Sequence, residues 1–245
     1  MIMPLTSSKF LIESLSTVNS TNETAIKRLR DGRLIDWIVA KRQLNGRGRR
    51  YNSWISPIGG LYATRVLSDP KIDYSHISQL SIITSVVAAK TIAEIVGKDR
   101  LQLKWPNDIL LAGKKLCGIL IETIVIENKL FLIIGFGINV RYPNKNPRED
   151  FSYLQDVKEG VNVYDCFNNL VSNFNEIINI WSYGKIFSRY RQYWLDLAKD
   201  HDKVIKVTRK DNYIEGIFEN IDNQGNLILK VGDQIEIINT GEVFS

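Results

Sequence analysis

The apolar segments between Leu101 and Val140 are separated by very short polar connections, and this spacing limits the fold more than any other feature. Ile109–Leu111 is followed closely by Leu116–Ile126, which is followed in turn by Leu130–Val140. Connections this short join neighbouring strands as hairpins, since they leave no room for a helical crossover. We therefore expect three consecutive strands that meander antiparallel at the centre of a sheet.

Helical patterns lie on both sides of these strands, so the expected fold class is α+β. The apolar spacing predicts helices from Ser20 to about Arg30, Ile77 to Val96, Val163 to Trp181 and Lys185 to Ala198, and strands at Ile35–Ala40, Leu61–Leu67 and Leu101–Trp105. Ser20 and Glu23 have the spacing of a capping box at the start of the first helix.

The composition changes near Asp200, where short strands replace helices. The expected strands are Lys203–Thr208, Tyr213–Ile221, Asn226–Val231 and Ile235–Ile238. Strands of this length favour a small β-barrel, which buries too little surface to be stable without docking on a larger domain. We expect a main domain at 1–199 and a small domain at 200–245.

Composition excludes several classes of protein. The chain of 245 residues is 44% hydrophobic and 24% charged, which is typical of a folded domain rather than a disordered one. Its net charge of +5 is too small to indicate nucleic-acid binding. Two cysteines and two histidines form no disulfide framework and no metal-ligand spacing. Without a targeting segment or an apolar run long enough for a bilayer, we expect a soluble, cytoplasmic protein.

A basic, glycine-containing loop is the first candidate for chemistry. Five of the ten residues in Lys41–Arg50 are basic, none is acidic, and Gly46 and Gly48 stand between them. Glycine allows close approach of the backbone to a ligand, and arginine presents forked donors to phosphate or carboxylate. A solvated basic loop is the simpler interpretation of such a charge run, and it stays open at this point.

Two strand ends provide further candidates. Lys104 ends a strand that Pro106 terminates, which would project one positive charge into a crevice, although lysines at strand ends usually face solvent. Gly135 and Gly137 precede Asn139, whose amide suits the edge of an adenine, and Gly137 would admit a flat ligand. The alternative is that the glycines relieve packing in a bent strand.

Taken together and in order, these segments resemble the biotin–protein ligases. The similarity extends over nearly the whole chain, and the ordered set is far more specific than any one motif. The residues that carry it are Ser20-Thr21-Asn22, Gln43, Gly46 to Arg50, Trp54 to Thr64, Lys104 to Asp108, Lys115 to Glu122, Gly135 to Asn139, and Gly216-Ile217, Ile221-Asp222 and Gly225.

The resemblance implies a mixed sheet with helices packed on it, similar to class II aminoacyl-tRNA synthetases, and a C-terminal SH3-like barrel. It also implies a two-step reaction, in which ATP activates biotin to biotinyl-5′-AMP and the biotin passes to a lysine of a biotin carboxyl carrier domain. The catalytic residues it implies are Lys104 and Arg47. The residues it implies for biotin are Ser20, Thr21, Asn22, Gln43, Arg47, Gly48, Arg49, Lys104 and Gly118, and those for ATP and the adenylate are Arg47, Arg49, Arg50, Trp54, Asn107 and Asn139.

The same resemblance implies Mg²⁺ as a companion of ATP, with Asn107 and Asp108 nearby but no ligand assigned. The implied partner is the biotin carboxyl carrier protein of acetyl-CoA carboxylase or a related carboxylase. Because the chain has no N-terminal DNA-binding segment, we expect a monofunctional biotin–[acetyl-CoA-carboxylase] ligase without DNA or membrane binding. Family members are monomers or homodimers, and the sequence does not distinguish these states. Tyr51-Asn52 departs from the usual glycine and basic residue after Arg50, which puts the loop's closure in doubt.

Three other interpretations remain. Lipoate–protein ligases and octanoyltransferases are described as sharing the catalytic fold, but the arginine–glycine loop and Lys104 to Asp108 favour biotin. A nucleic-acid-binding module would use the basic loop and the C-terminal strands, where aromatic residues are sparse. A non-catalytic biotin-binding homologue would have no need of Lys104.

Overall fold

The computed structural model describes residues 10–69, 71–142, 150–181, 184–209 and 212–244. Within them the helices are α1 (Thr21–Arg30), α2 (Ile77–Val96), α3 (Val163–Trp181) and α4 (Phe187–Asp196). The strands are β1 (Ile12–Leu15), β2 (Trp37–Ala40), β3 (Leu61–Leu67), β4 (Leu101–Lys104), β5 (Asp108–Leu111), β6 (Lys114–Ile126), β7 (Lys129–Ile138), β8 (Val204–Arg209), β9 (Asn212–Ile221), β10 (Leu227–Val231), β11 (Gln234–Ile238) and β12 (Val243–Phe244).

The chain forms two compact units, each built from two segments of sequence. The first unit consists of Met1–Asp73 and Leu116–Asn168, and the second of Tyr74–Lys115 and Asn169–Ser245.

A mixed sheet forms the centre of the first unit. Its strands lie in the order β1, β2, β3, β7, β6. β1 pairs with β2 in parallel, whereas β3 is antiparallel to both β2 and β7. β6 and β7 pair antiparallel from Cys117↔Ile138 to Ile126↔Lys129, so the hairpin expected from the apolar spacing is confirmed.

Helix α1 covers one face of this sheet with apolar side chains. Ala25 and Leu29 belong to one buried cluster with Ile38, Val66 and Ile133 of the strands. Burial of this apolar surface, at about 25 cal/mol per Å², holds the helix on the sheet. The packing therefore fixes where the N-terminus of α1 lies over the strands.

The capping box expected at Ser20 does not form. Ser20 is the N-cap residue, but its side chain makes no capping hydrogen bond. The first amide of the helix, that of Thr21, donates instead to Oε1 of Gln43 at 2.8 Å. A parallel bridge between Val18 and Gln43 brings this distant side chain to the helix end. A helix-terminal amide needs one acceptor, and a tertiary contact supplies it here.

The second unit contains the β4–β5 hairpin, α2 and α4. With its preceding turn, α2 (Tyr74–Val96) is long and apolar enough to cross a membrane by length and composition alone. However, 67% of its most apolar window is buried, as in the core helix of a globular protein. Among the described residues, this helix is the one stretch with the length and composition of a membrane span, whereas the sequence was expected to contain none.

The C-terminal strands of the second unit form an antiparallel sheet in the order β11, β10, β9, β8, β12. The small C-terminal β domain is thus confirmed, but in residues 204–209 and 212–244 its sheet stays open between β11 and β12 rather than closing into the expected barrel. The turn between β9 and β10 docks on two helices. Asn223 accepts from Gln79 of α2 through its backbone oxygen at 2.6 Å and from Arg191 of α4 through its side chain at 2.8 Å.

We predict that Gly225→Ala destabilises the protein by about 1–3 kcal/mol, because a methyl group there would overpack the docked turn. Gly225 has φ +89°, and an added Cβ would lie 2.5 Å from the carbonyl carbon of Ser78. Gly232→Ala is the matched control, since Gly232 also has positive φ (+60°) but no atom within 4 Å of an added Cβ. The urea midpoint of the Gly225 variant should be clearly lower than that of the control, and equal midpoints would contradict the docking.

Candidate active site

Beyond the N-terminus of α1, the face of the first unit's sheet is formed by glycines. Gly135 and Gly137 lie two residues apart on β7, so they share one face, and Gly118 of β6 pairs with Gly137. All three are only half-buried. We call these three residues the glycine floor, a part of the sheet where other groups can reach the backbone.

Asn22, in the first turn of α1, lies directly on Gly135. An added Cβ at Gly135 would be 2.5 Å from Asn22 Oδ1, which accepts from Thr64 Oγ1 at 2.7 Å. Asn22 Nδ2 donates to Glu122 Oε2 at 2.8 Å. The Asn22 side chain is buried, and these two partners fix its orientation because only the amide nitrogen can donate to a carboxylate.

Trp54 covers the other end of the glycine floor. An added Cβ at Gly137 would lie 2.5 Å from Nε1 of the indole. The ring also meets Phe151 edge-on, with centroids 6.1 Å apart. The indole of Trp54 thus covers Gly137, whereas the sequence predicted that Gly137 would admit a flat ligand.

A hydrogen-bond chain joins the start of α1 to Trp54. Oε1 of Gln43 accepts from both the amide and the hydroxyl of Thr21, at 2.8 and 3.1 Å. Gln43 Nε2 donates to Ser56 Oγ at 2.9 Å, and that hydroxyl donates to the carbonyl oxygen of Trp54 at 2.9 Å. Gly46 lies against this chain, since its added Cβ would be 2.3 Å from the same oxygen.

The basic loop folds back on itself as a short hairpin. Arg47 and Ser53 form an antiparallel bridge, and the amide of Gly48 donates to the carbonyl oxygen of Asn52 at 2.7 Å. At the tip, Arg50 has φ 50° and ψ 38°, a left-handed conformation that is uncommon outside glycine. The loop thus has an internal structure that a purely solvated charge run would not need.

An ion pair anchors this hairpin to the sheet. Arg47 Nη2 lies 3.1 Å from Oε1 and 3.3 Å from Oε2 of Glu122. Glu122 therefore contacts both the basic loop and Asn22 of α1. No role for Glu122 was predicted from the sequence. It is the one charged residue between Leu116 and Ile126, and a single charge in an apolar strand could have indicated a functional residue.

Tyr62 of β3 pairs with Gly137 across the strands. Its hydroxyl donates to the carbonyl oxygen of Pro57 at 2.8 Å. Burial raises the pKa of Tyr62 well above its usual range, because the phenolate would lose its hydration. Tyr62 therefore remains a neutral donor throughout the physiological pH range.

The first unit contains most of the residues predicted for biotin and for ATP. Ser20, Thr21, Asn22, Gln43, Arg47, Gly118 and Trp54 lie on or beside the glycine floor, Gly48, Arg49 and Arg50 lie in the hairpin loop, and Asn139 is buried just after β7. The backbone of Asn139 is fixed at both ends, since its amide donates to Leu116 and its oxygen accepts from Leu154, each at 3.0 Å.

The remaining expected residues belong to the second unit. Lys104 is the last residue of β4 and pairs with Asp108 across the hairpin. Asn107 stands in the turn between these strands, and Trp105 is buried. The carboxylate of Asp108 lies 2.8 Å from the ammonium group of Lys115. In the part of the chain that the structure describes, no three His, Cys, Asp or Glu residues come together as a metal site.

Two family models match the sequence. Residues 15–139 match the biotin/lipoate A/B protein ligase family, and residues 201–245 match the biotin protein ligase C-terminal domain.

Curated relatives match over nearly the full chain. A biotin–[acetyl-CoA-carboxylase] ligase of Paracoccus denitrificans is 30% identical over 94% of this chain and 98% of its own length. The bifunctional ligase/repressor BirA of Salmonella typhimurium is 30% identical over 94% of this chain and 72% of its own length. Among solved structures, biotin protein ligase from Aquifex aeolicus in complex with biotin and ATP has a TM-score of 0.81 at 24% identity, covering 96% of this chain and 97% of that one.

We predict that Gly135→Ala costs about 2 kcal/mol of folding stability, because the methyl group would displace a buried, hydrogen-bonded amide. Gly48→Ala is the control, since an added Cβ there finds its nearest atom at an ordinary 3.4 Å. Thermal unfolding of both variants checks this. A Gly135 variant as stable as the Gly48 variant would show that Asn22 does not lie on the strand.

Proposed function

Because the chain belongs to the biotin/lipoate A/B protein ligase family, we propose that it activates biotin with ATP and transfers it to a carrier protein. In the first step a biotin carboxylate oxygen attacks the α-phosphorus of ATP, forming biotinyl-5′-AMP and releasing pyrophosphate. In the second, a neutral lysine amine of a biotin carboxyl carrier domain attacks the acyl carbon, AMP leaves, and the amine loses a proton to solvent. The observation that carries the proposal is the arginine hairpin anchored beside the glycine floor and the start of α1.

The chemistry explains the need for a fixed cation. A carboxylate and a phosphate about 4 Å apart repel by about 4 kcal/mol at an effective dielectric constant near 20. Arg47, held by Glu122, offers a guanidinium group that does not have to be ordered anew when the two anions meet. The mixed anhydride reacts with water, so a loop that covers it protects the intermediate.

For biotin, the proposed contacts group around the start of α1. Ser20, Thr21, Gln43 and the backbone near Gly118 would hold the fused rings, and Arg47, Gly48, Arg49 and Lys104 would face the carboxylate. Asn22 is also proposed here, but its amide already bonds Thr64 and Glu122. Asn22 would therefore shape the pocket through these partners rather than by a free amide.

For ATP and the adenylate, the proposed residues are Arg47, Arg49, Arg50, Trp54, Asn107 and Asn139. Trp54 would pack against the adenylate and Asn139 would meet the adenine edge. Lys104 would bridge the biotin carboxylate and the α-phosphate and, with Arg47, is proposed as a catalytic residue. Mg²⁺ would arrive with the phosphates of ATP, and the pairing of Asp108 with Lys115 favours phosphate oxygens over this carboxylate as its ligands.

The wider assignment follows the same family. We place the boundary between the catalytic domain and the small C-terminal domain at residues 199 and 200, supported by the start of β8 at Val204 and of the second family match at 201. We expect a cytoplasmic enzyme whose partner is the biotin carboxyl carrier protein of acetyl-CoA carboxylase or a related carboxylase, acting without DNA or membrane binding. A homodimer is compatible with this function.

A lipoate ligase is the nearest rival because the matching family covers both acids. The match of residues 201–245 to the biotin protein ligase C-terminal domain favours biotin.

We predict ATP–pyrophosphate exchange that depends on biotin and that Lys104→Ala lowers by at least about a hundredfold, since a charge that stabilises the reacting phosphate is lost. Exchange of labelled pyrophosphate into ATP measures this with biotin, lipoate or no acid. Lys129→Ala removes the same charge at the start of β7, whereas the glycine floor lies toward the other end of that strand, and it should leave exchange unchanged. Exchange with lipoate alone would show that the substrate is lipoate rather than biotin. No exchange with either acid would refute the ligase function.

A second prediction concerns the transfer step. The chain carries a net charge of +5, so it should attract an acidic carrier domain over the Debye length of about 10 Å at 0.1 M salt. Transfer of biotin to the carrier should slow as NaCl rises from 0.05 to about 0.5 M, while pyrophosphate exchange changes much less. If transfer does not depend on salt, long-range charge attraction has no part in carrier recognition.

A further inference from the structure

The side chain of Glu122 contacts both the helix start and the basic hairpin. Its Oε2 accepts from Nδ2 of Asn22 at 2.8 Å, and its Oε1 accepts from Nη2 of Arg47 at 3.1 Å. All three residues belong to the first unit. Arg47 Nη2 also lies 3.3 Å from Oε2, the oxygen that Asn22 contacts, so one carboxylate joins both donors and sets the distance between α1 and the loop.

The anchor on the helix side is rigid. Asn22 is buried, and Thr64, which donates to its oxygen at 2.7 Å, is fully buried in β3. With its oxygen bonded to Thr64, the amide can present only its nitrogen to Glu122. Glu122 is therefore oriented from inside the protein before any ligand arrives.

The contact on the loop side is different, because solvent reaches it. The side chains of Arg47 and Glu122 are 39% and 26% exposed. Ion pairs with this exposure add little to folding stability. The pair involves only Nη2, so Nε and Nη1 of Arg47 lie outside it and can meet a second anion. The ion pair is therefore better explained by the orientation that it gives to Arg47 than by a contribution to folding stability.

We propose that Glu122 is a positioning residue, which holds Arg47 in the orientation that receives the carboxylate of the acid substrate. This proposal rests on the proposed function, in which Arg47 faces that carboxylate. Glu122 does not touch the substrate itself. It transmits the fixed position of Asn22 to the guanidinium group, so that the loop does not have to be ordered when the acid binds.

The test is a double-mutant cycle with Glu122→Gln and Arg47→Gln, followed by pyrophosphate exchange. Glutamine keeps the size of the side chain and an acceptor for Asn22, but it removes the charge that attracts Arg47. We expect Glu122→Gln to raise KM for biotin about tenfold with kcat within about twofold, the signature of weakened ground-state binding. In the Arg47→Gln background the same change should have no further effect.

Glu127→Gln is the matched control, because Glu127 carries the same charge in the exposed turn after β6. Its KM for biotin should equal that of the unchanged protein. A Glu122 variant that matches this control, or one whose effect on kcat/KM is fully additive with Arg47→Gln, would overturn the proposal. If Glu122→Gln fails to fold, Glu122→Asp takes its place in the cycle, since the charge is kept but cannot reach both partners.

The two proposals fail in distinguishable ways. Pyrophosphate exchange by the unchanged protein tests the proposed function, because the acid that supports exchange is the substrate. Should lipoate replace biotin, the cycle is measured with lipoate, and coupling between Glu122 and Arg47 still supports the positioning role. Exchange with biotin but without coupling would refute the positioning role and leave the ligase function intact.

Discussion

The absence of side chains at Gly135 and Gly137 is the constraint on which the rest of the first unit depends. A methyl group at either position would lie 2.5 Å from a neighbouring side chain, Asn22 Oδ1 in one case and Trp54 Nε1 in the other. Because these contacts are made with the strand itself, the start of α1 and the segment after the basic hairpin both lie directly on the sheet. Together with the packing of α1 and the Arg47–Glu122 pair, these two contacts fix the positions of Thr21, Gln43 and Arg47.

Polar groups brought this close to a sheet must be hydrogen-bonded, since an unsatisfied buried amide or hydroxyl costs about 1–3 kcal/mol. For Thr21 and Asn22 at the start of α1, the partners are distant in sequence. Gln43 accepts from the first amide of α1 and donates to Ser56. Asn22 accepts from Thr64 and donates to Glu122. The same bonds that satisfy these groups also place a basic loop beside a helix start, the arrangement expected for a ligand that carries a negative charge.

Regular elements were predictable because their signals are local. The predicted limits of the long core helix, Ile77 and Val96, are those of α2, since apolar periodicity and the following Gly97 both act within a few residues. The hairpin of β6 and β7 was predictable for the same reason. The capping of α1 was not, because Ser20 has the right local pattern and Gln43, 23 positions away, supplies the acceptor. Glu122 was missed because its partners, Asn22 and Arg47, are not sequence neighbours.

By itself, the sequence determined the strands and helices, the basic loop with its glycines, the strand-end lysine and the resemblance that joins them. Each of these depends on residue types and short spacings, which act before the chain is folded. Only the tertiary structure decided that an indole of the protein covers Gly137, that the loop is a hairpin tied to Glu122, and that the described C-terminal strands form an open sheet. These outcomes depend on which distant groups meet, and the meeting is set by the packing of α1 and by the missing side chains of the glycine floor.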